Sequence, residues 1–464
     1  MDEDLGTTSR RMVLGGALAV GAVAGLGAQR AQAAPVERRR PRRKGQKSMI
    51  GVPYAQRDTV RVGVIGLGNR GSGMALGWAS IPGGEVTAVC DIRADRANRV
   101  ADRLQAAGHD RPATIGGSES SYLELLRRDD VDYVYIATPW EFHFSQGRDA
   151  LRHDKDAAVE LPIAMELDEL WELVDASEQS RRHLMLAENC NYGRNELAML
   201  KMARAGLFGE ITDAHGGYLH DLRELLFSDT YYTDAWRRKW HTRSRAAFYT
   251  MHGLGPMSAC LDINRGERYV SLVAIDTPAE GLADYRERFV PRDHPSWQEE
   301  YVHGDVQTVL LTTNSGKMCR AVHSVSSPRP YSRINSLQGS RGIVEDYPER
   351  IYVEPDHKGH AWADFGPYRD KHEHWLWRKL REDAEGGGHG GMDWIMQWRI
   401  VQQIRTGQVP DIDVYDSAVW CSSVPLSAES LKKERAVAVP DFTRGDWDDS
   451  SRGGLDSAES DMPG

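Results

Sequence analysis

A short apolar run, Arg61-Val62-Gly63-Val64-Ile65, leads into Gly66-Leu67-Gly68-Asn69-Arg70-Gly71. A helix-compatible segment, Ser72 to Ser80, follows. Glycines spaced Gly66-x-Gly68-x-x-Gly71 in this setting suit phosphate chemistry. The first permits a tight turn after a strand, the second lets backbone approach a pyrophosphate, and the third lets helix pack on strand. The helix N-terminus adds unpaired N–H groups and a positive dipole end. A second run, Val86 to Cys90, ends in Asp91, 20 residues after Gly71. An acid there accepts hydrogen bonds from ribose hydroxyls and repels a 2′-phosphate, which favours NAD over NADP. A third run, Val131 to Ala137, ends in Thr138-Pro139-Trp140-Glu141-Phe142-His143. Ligands of an open parallel sheet sit beyond the carboxyl ends of its strands, so Trp140 to His143 falls beside the nicotinamide half of the cofactor.

These residues need a doubly wound sheet to bring them together. The alternation predicts helices over 93–107 and 122–128, a β segment at Ala157 to Glu160, an amphipathic helix over 166–180 and a last strand at Leu184 to Ala187. The fold class is α/β, with an N-terminal Rossmann domain over 59–187. From about residue 188 the pattern changes. Val306 to Thr312, the turn Asn314-Ser315-Gly316 and Lys317 to Ser324 read as an antiparallel hairpin. Residues 188–445 are therefore expected to form an α+β domain for substrate and oligomerisation, built on an open, mainly antiparallel sheet.

The chain has 464 residues and a net charge of −10. Residues 1–47 carry ten Lys and Arg against four Asp and Glu, a surplus of six that leaves the rest at −16. An acidic body without a basic stripe argues against nucleic acid. Five widely spaced cysteines indicate neither a disulfide framework nor a metal centre, and Cys90 reads as a small buried hydrophobe. Arg10-Arg11, the weakly apolar run Gly15 to Ala28 and Ala31-Gln32-Ala33 together read as a Tat export signal over 1–33, not a stable membrane span. Residues 34–58 then form a basic linker, with Arg38 to Lys47 expected to be disordered, and the acidic tail 446–464 is expected to be disordered too. The Tat machinery carries folded proteins, so a chain that binds NAD and leaves the cytoplasm should hold it tightly.

The order of domains resembles the Gfo/Idh/MocA oxidoreductases. Within them the chain is more similar to family 109 glycoside hydrolases, the NAD-dependent α-N-acetylgalactosaminidases. The resemblance is carried by GLGNRG (66–71), TPWEFH (138–143), VELP (159–162), ENCNYGRNE (188–196), GLFGEI (206–211), GYLHDLR (217–223), YTMHGLGP (249–256), LDINRGER (261–268), GGHGGMDW (387–394) and PDFTRG (440–445). It implies that Asn69, Arg70, Asp91, Trp140 to His143, Glu160, Leu161 and Asn189 bind NAD, and that Tyr218, Arg237, Tyr249, His252 and Tyr331 line a sugar site. Two departures are VELPIA for the family's VEVPAA and YTMH for YPTH. Sugar dehydrogenases of the superfamily carry Glu-Lys-Pro where this chain has Glu160-Leu161-Pro162, and leucine cannot move a hydroxyl proton.

The implied chemistry is a redox-assisted elimination: hydride passes from C3 of the sugar to NAD, a base takes the C2 proton, the aglycone leaves C1, water adds and the hydride returns. No carboxylate pair of the usual glycosidase kind stands out in the sequence, in keeping with an NAD-dependent exception. Tyr249 and His252 are the candidates for proton transfer, a Tyr beside a histidine or a cationic ring being expected to have a lowered pKa. Arg237 and Tyr218 would grip polar groups of the sugar. Trp236, Trp240, Tyr231 and Tyr232 suit carbohydrate stacking. The alternatives are a sugar or inositol-type dehydrogenase, disfavoured by Leu161, and a non-catalytic sugar sensor.

Overall fold

A computed structural model describes residues 40–449 and 451–455 of the chain; the signal-like segment 1–33 lies outside them. The first sheet is six-stranded and wholly parallel: β1 (Val60–Ile65), β2 (Gly84–Asp91), β3 (Ala113–Gly116), β4 (Tyr133–Ile136), β5 (Asp156–Val159) and β6 (Leu184–Leu186), in the order β3-β2-β1-β4-β5-β6. Helices α1 (Asn69–Ser80), α2 (Ala94–Ala106), α3 (Tyr122–Leu126), α4 (Trp140–Arg152) and α5 (Leu167–Ser180) cross between strands. Every residue of β4, Tyr-Val-Tyr-Ile, is buried, as a strand covered on both faces requires. Trp78 of α1 packs on Tyr133 and Tyr135. The strand order reverses between β1 and β4, so the crevice for a dinucleotide opens there.

A helix, α6 (Arg194–Arg204), leads to the second sheet. Its strands are β7 (Ile211–Leu219), β8 (Tyr269–Asp276), β9 (Gln307–Thr313), β10 (Met318–Ser324), β11 (Ser336–Gly339), β12 (Gly342–Asp346), β13 (Glu349–Val353) and β14 (Val437–Ala438). They lie in the order β13-β12-β11-β7-β10-β9-β8-β14, antiparallel except for the β7–β10 pair. The expected hairpin is the β9–β10 pair. The chain then returns to the first domain. Helix Met392–Thr406 lies against α1, where Gln397 Nε2 donates to the Met74 carbonyl at 2.9 Å and Trp394 Nε1 to Ser80 Oγ at 3.2 Å.

Two expectations of disorder are corrected. From Arg40 onward the basic linker is packed on the body: Arg42 pairs with buried Glu178 at 3.0 Å and with Asp446 at 2.8 Å, and Met49 and Tyr54 are buried. In the acidic tail, Arg452 is buried against Asp413 at 2.5 Å and Leu455 is buried as well. Charges that look solvated in sequence are here neutralised by partners remote in the chain, and single apolar side chains anchor the strands between them. Residues 34–39, 450 and 456–464 lie outside the described residues.

Behind the second-domain cavity wall, His241, His303 and His323 are buried around Phe248, with His241 and His303 ring centroids 4.4 Å apart. Neither ring nitrogen of His241 has a hydrogen-bond partner among the described residues. Burial pushes His303 down to about 4, as it does His183 and His374, and holds His241 and His323 well below the usual histidine range. Burial acts oppositely on two carboxylates, raising Asp156 to about 6 and Asp346 to about 7. Between pH 6.5 and 4 the unfolded chain binds protons at five histidines that the folded chain excludes, while the two carboxylates offset part of the loss. Urea unfolding should therefore give a stability that declines as pH falls below about 6.5, by roughly 1.4 kcal/mol per pH unit for each net proton bound by the unfolded chain.

Candidate active site

The turn after β1 fits a dinucleotide. Gly66 has φ +86°, and a Cβ there would come within 2.7 Å of the Thr138 nitrogen; a Cβ on Gly71 would meet the Gly66 carbonyl oxygen at 1.8 Å. Gly68 opens onto free space. No side chain caps the N-terminus of α1 and no acid sits in its first turn, so its amides are left for an anionic ligand. Asp91 accepts the Leu67 N–H at 2.7 Å and the Arg93 N–H at 2.8 Å, which ties the end of β2 to the glycine turn.

A cavity of about 1340 Å³ starts at this turn and runs into the second domain. That is more than the roughly 300–1,000 Å³ of a site for one small ligand. All the residues assigned to NAD or sugar line it except Gly71, which packs beneath Gly66. Trp236, Trp240, Tyr231 and Tyr232 line it as well.

At its centre Arg70 is held by two carboxylates, with His389 beside them. Its Nε donates to Glu160 at 2.7 Å, its terminal nitrogens bind Asp393 in a fork at 2.5 and 3.0 Å, and His389 lies 3.3 Å from Nη1. Asn189 Nδ2 donates to the same Asp393 at 2.7 Å, and the Tyr135 hydroxyl donates to Glu160. Against the burial that pushes it up, Arg70 and His389 hold the Asp393 carboxyl far below the usual carboxylate range. His143 lines the cavity but is held by backbone: its two ring nitrogens lie 2.7 Å from the Pro162 and Thr138 carbonyl oxygens. Leu161 is buried.

On the sugar side, Tyr218, Tyr249 and His252 form a triangle with ring centroids 4.9 to 5.2 Å apart. Tyr331 stands 6.0 Å from Tyr218 at the more exposed edge. Tyr249 stacks on Trp140, which links this triangle to the cofactor side. Arg237 is buried over the faces of Tyr249, Trp140 and Tyr232, at 4.8 to 5.3 Å from their centroids. Its Nη1 donates to the Tyr232 hydroxyl at 3.0 Å, while Nε and Nη2 have no partner among the described residues. A buried guanidinium with free donors fits a polar ligand group, because unmade hydrogen bonds are costly inside a protein. Among the chain's own groups, burial and then the Glu160 charge push the Tyr249 phenol well up despite Arg237. Tyr249 stays protonated at working pH.

Sequence reasoning left out two residues: Asp393, which lines the cavity, and Glu188, which is buried behind His252. Asp393 lies in the first turn of a helix after the glycine run 386–391, where an acid reads as a helix-dipole partner. Glu188 follows β6 at the carboxyl edge of the sheet, the edge at which ligands are sought, and its carboxylate Oε1 lies 2.7 Å from His252 Nδ1. With Cys190 these two bring donor atoms within 4.8 Å of one another, a grouping invisible in the cysteine spacing. The Arg70 clamp leads to a prediction. Asp393→Asn should lower the NAD retained per purified chain and cost roughly 3 kcal/mol in urea unfolding, the low end for a broken buried pair because the Arg70 side chain keeps 27% exposure.

Comparison with known proteins matches the two domains separately. Residues 60–188 match the model of the oxidoreductase family, NAD-binding Rossmann fold, and residues 192–449 match that of glycosyl hydrolase 109, C-terminal domain. A glycosyl hydrolase family 109 protein of Streptomyces coelicolor is 64% identical over 464 residues, covering 98% of each chain. An alpha-N-acetylgalactosaminidase of Shewanella oneidensis is 40% identical, covering 88% of this chain and 90% of that relative. Among solved structures, a levoglucosan dehydrogenase in complex with NADH and levoglucosan superposes with a TM-score of 0.60 at 18% identity, over 82% of this chain and 100% of that one, a likeness of fold. With both halves matched and close to the full length aligned at high identity, this chain belongs to glycosyl hydrolase family 109.

Proposed function

We propose that this chain is an NAD-dependent glycosidase that releases terminal α-N-acetylgalactosamine or a related sugar. One observation carries the reading: the glycine turn for the cofactor and the Tyr218–Tyr249–His252 triangle share a single cavity. Glycine turn, Asp91, Arg70 and Asn189 are the residues to hold NAD. The chemistry NAD supplies when bound is reversible hydride acceptance at sugar C3, which acidifies the C2 proton. The chain's own residues handle protons and position. His252 takes the C2 proton as the aglycone departs from C1, exchanges it with solvent, and delivers a solvent-derived proton to C2 after water has added. Tyr249, kept a phenol by burial, donates a hydrogen bond to a sugar oxygen. Arg237 offers its two free donors to the acetamido or hydroxyl groups. Leu161, where a proton-moving residue would serve a dehydrogenase, leaves this site poorly equipped for net oxidation.

Three further elements belong to this reading. The Arg10-Arg11 segment directs export of the folded chain by the Tat route. NAD stays tightly bound, supported by contacts that bridge the cleft: Asn69 to the Tyr231 carbonyl at 3.2 Å, Arg96 to Thr233 at 2.7 Å and Arg70 to Asp393. The outer face of the second sheet, where Ile275 and Met318 are exposed, receives a second copy of the chain. The test uses purified protein without added NAD, a chromogenic α-N-acetylgalactosaminide and D₂O. Aglycone release with deuterium at C2 of the product and no net NADH is the expected outcome. No release, together with NADH formation from free sugars and added NAD, would sink the glycosidase reading in favour of a dehydrogenase.

A further inference from the structure

Glu188 is fully buried, and its carboxylate is used on one side only. Oε1 accepts the Cys190 backbone N–H at 3.0 Å and lies 2.7 Å from His252 Nδ1; Oε2 is buried without a partner among the described residues. The other ring nitrogen of His252, Nε2, has no hydrogen-bond partner among those residues, and His252 lines the cavity. A neutral imidazole that donates its Nδ1–H to a carboxylate presents Nε2 as an unprotonated acceptor. The competing neighbour is Cys190, whose sulfur lies 3.2 Å from the same Nδ1. Burial pushes that thiol well up, so it remains S–H, and the carboxylate is the stronger acceptor. A metal shared by the three side chains fits less well. Nδ1 and Oε1 at 2.7 Å are closer than the ~3.4 Å between two ligand atoms about 2.1 Å from one tetrahedral ion.

We infer that Glu188 is the positioning residue of this site: it fixes His252 in the tautomer with Nε2 free toward the cavity, and it neutralises the imidazolium formed when Nε2 takes the proton. The role of His252 as proton acceptor rests on the glycosidase reading; the tautomer does not. The backbone is shaped to admit this carboxylate. Gly255 lies on the His252 helix, Met251–Cys260, and a Cβ there would come within 2.8 Å of Glu188 Cγ and 2.4 Å of Asn191 Oδ1.

The full chain with its bound NAD tests this in two ways. Nitrogen-15 NMR of labelled histidine, with His252 assigned by difference from His252→Asn, reads the tautomer without substrate. A protonated Nδ1 in the wild type, shifting to Nε2 in Glu188→Gln, is expected; a protonated Nε2 in the wild type overturns the inference. In turnover, Glu188→Gln should lower kcat and C2 deuterium incorporation together by roughly 100-fold, with KM and NAD per chain unchanged. Gly255→Ala should push kcat the same way by displacing the carboxylate, which covers the case of a Gln variant that does not fold. A Gln variant with wild-type kcat, or a loss that tracks bound NAD, overturns it. If the wild type releases no sugar, the glycosidase reading falls and the NMR result still decides the dyad.

Discussion

A half-buried guanidinium holds the cleft together. Arg70 lies in the first turn of α1 in the first domain, yet its charge is balanced by Glu160 after β5 and by Asp393 on a helix more than three hundred residues later. Taking a charge out of water is costly unless partners compensate it. That requirement draws helix Met392–Thr406 against α1, where Gln397 and Trp394 complete the contact. The same Asp393 binds Asn189, so the end of β6 is set by the same pair. The walls of the cofactor site are thus positioned by one electrostatic knot more than by the glycine turn itself.

On the sugar side the logic is different. Arg237 has aromatic faces around it and no ion pair among the described residues, so its Nε and Nη2 remain available, whereas all three nitrogens of Arg70 are bound by carboxylates. Tyr249 is held protonated by burial and His252 is aimed by Glu188, giving two neighbouring groups of unlike proton character. Sites that move a proton gain from such a difference in environment. Leu161 removes a third proton carrier from the same wall. The chemistry is accordingly narrowed by what each residue is packed against as much as by its type.

Local requirements were legible in the chain. The glycine spacing, the strand runs ending at Asp91, Thr138 and Glu188, and the β9–β10 hairpin each follow from sterics or side-chain period within a few residues. The polar clusters were not. Arg42 and Arg452 sit in segments whose composition reads as solvated, and only folding reveals that Glu178 and Asp413 await them. His143, prominent by its position after a strand, turned out to be occupied by two carbonyls, while Glu188 and Asp393 stood out only as members of longer motifs.

By itself the sequence determined the order of the two domains, the dinucleotide turn and the family resemblance, since these depend on backbone sterics, periodicity and ordered short motifs. The tertiary structure alone decided which charges are paired, which way His252 faces and that Tyr249 keeps its proton. Those properties depend on burial and on partners far apart in the chain: Glu188 and His252 are separated by 64 positions, Arg70 and Asp393 by 323. No local pattern encodes such distances, because the energy of a buried charge is set by whatever the completed fold places beside it.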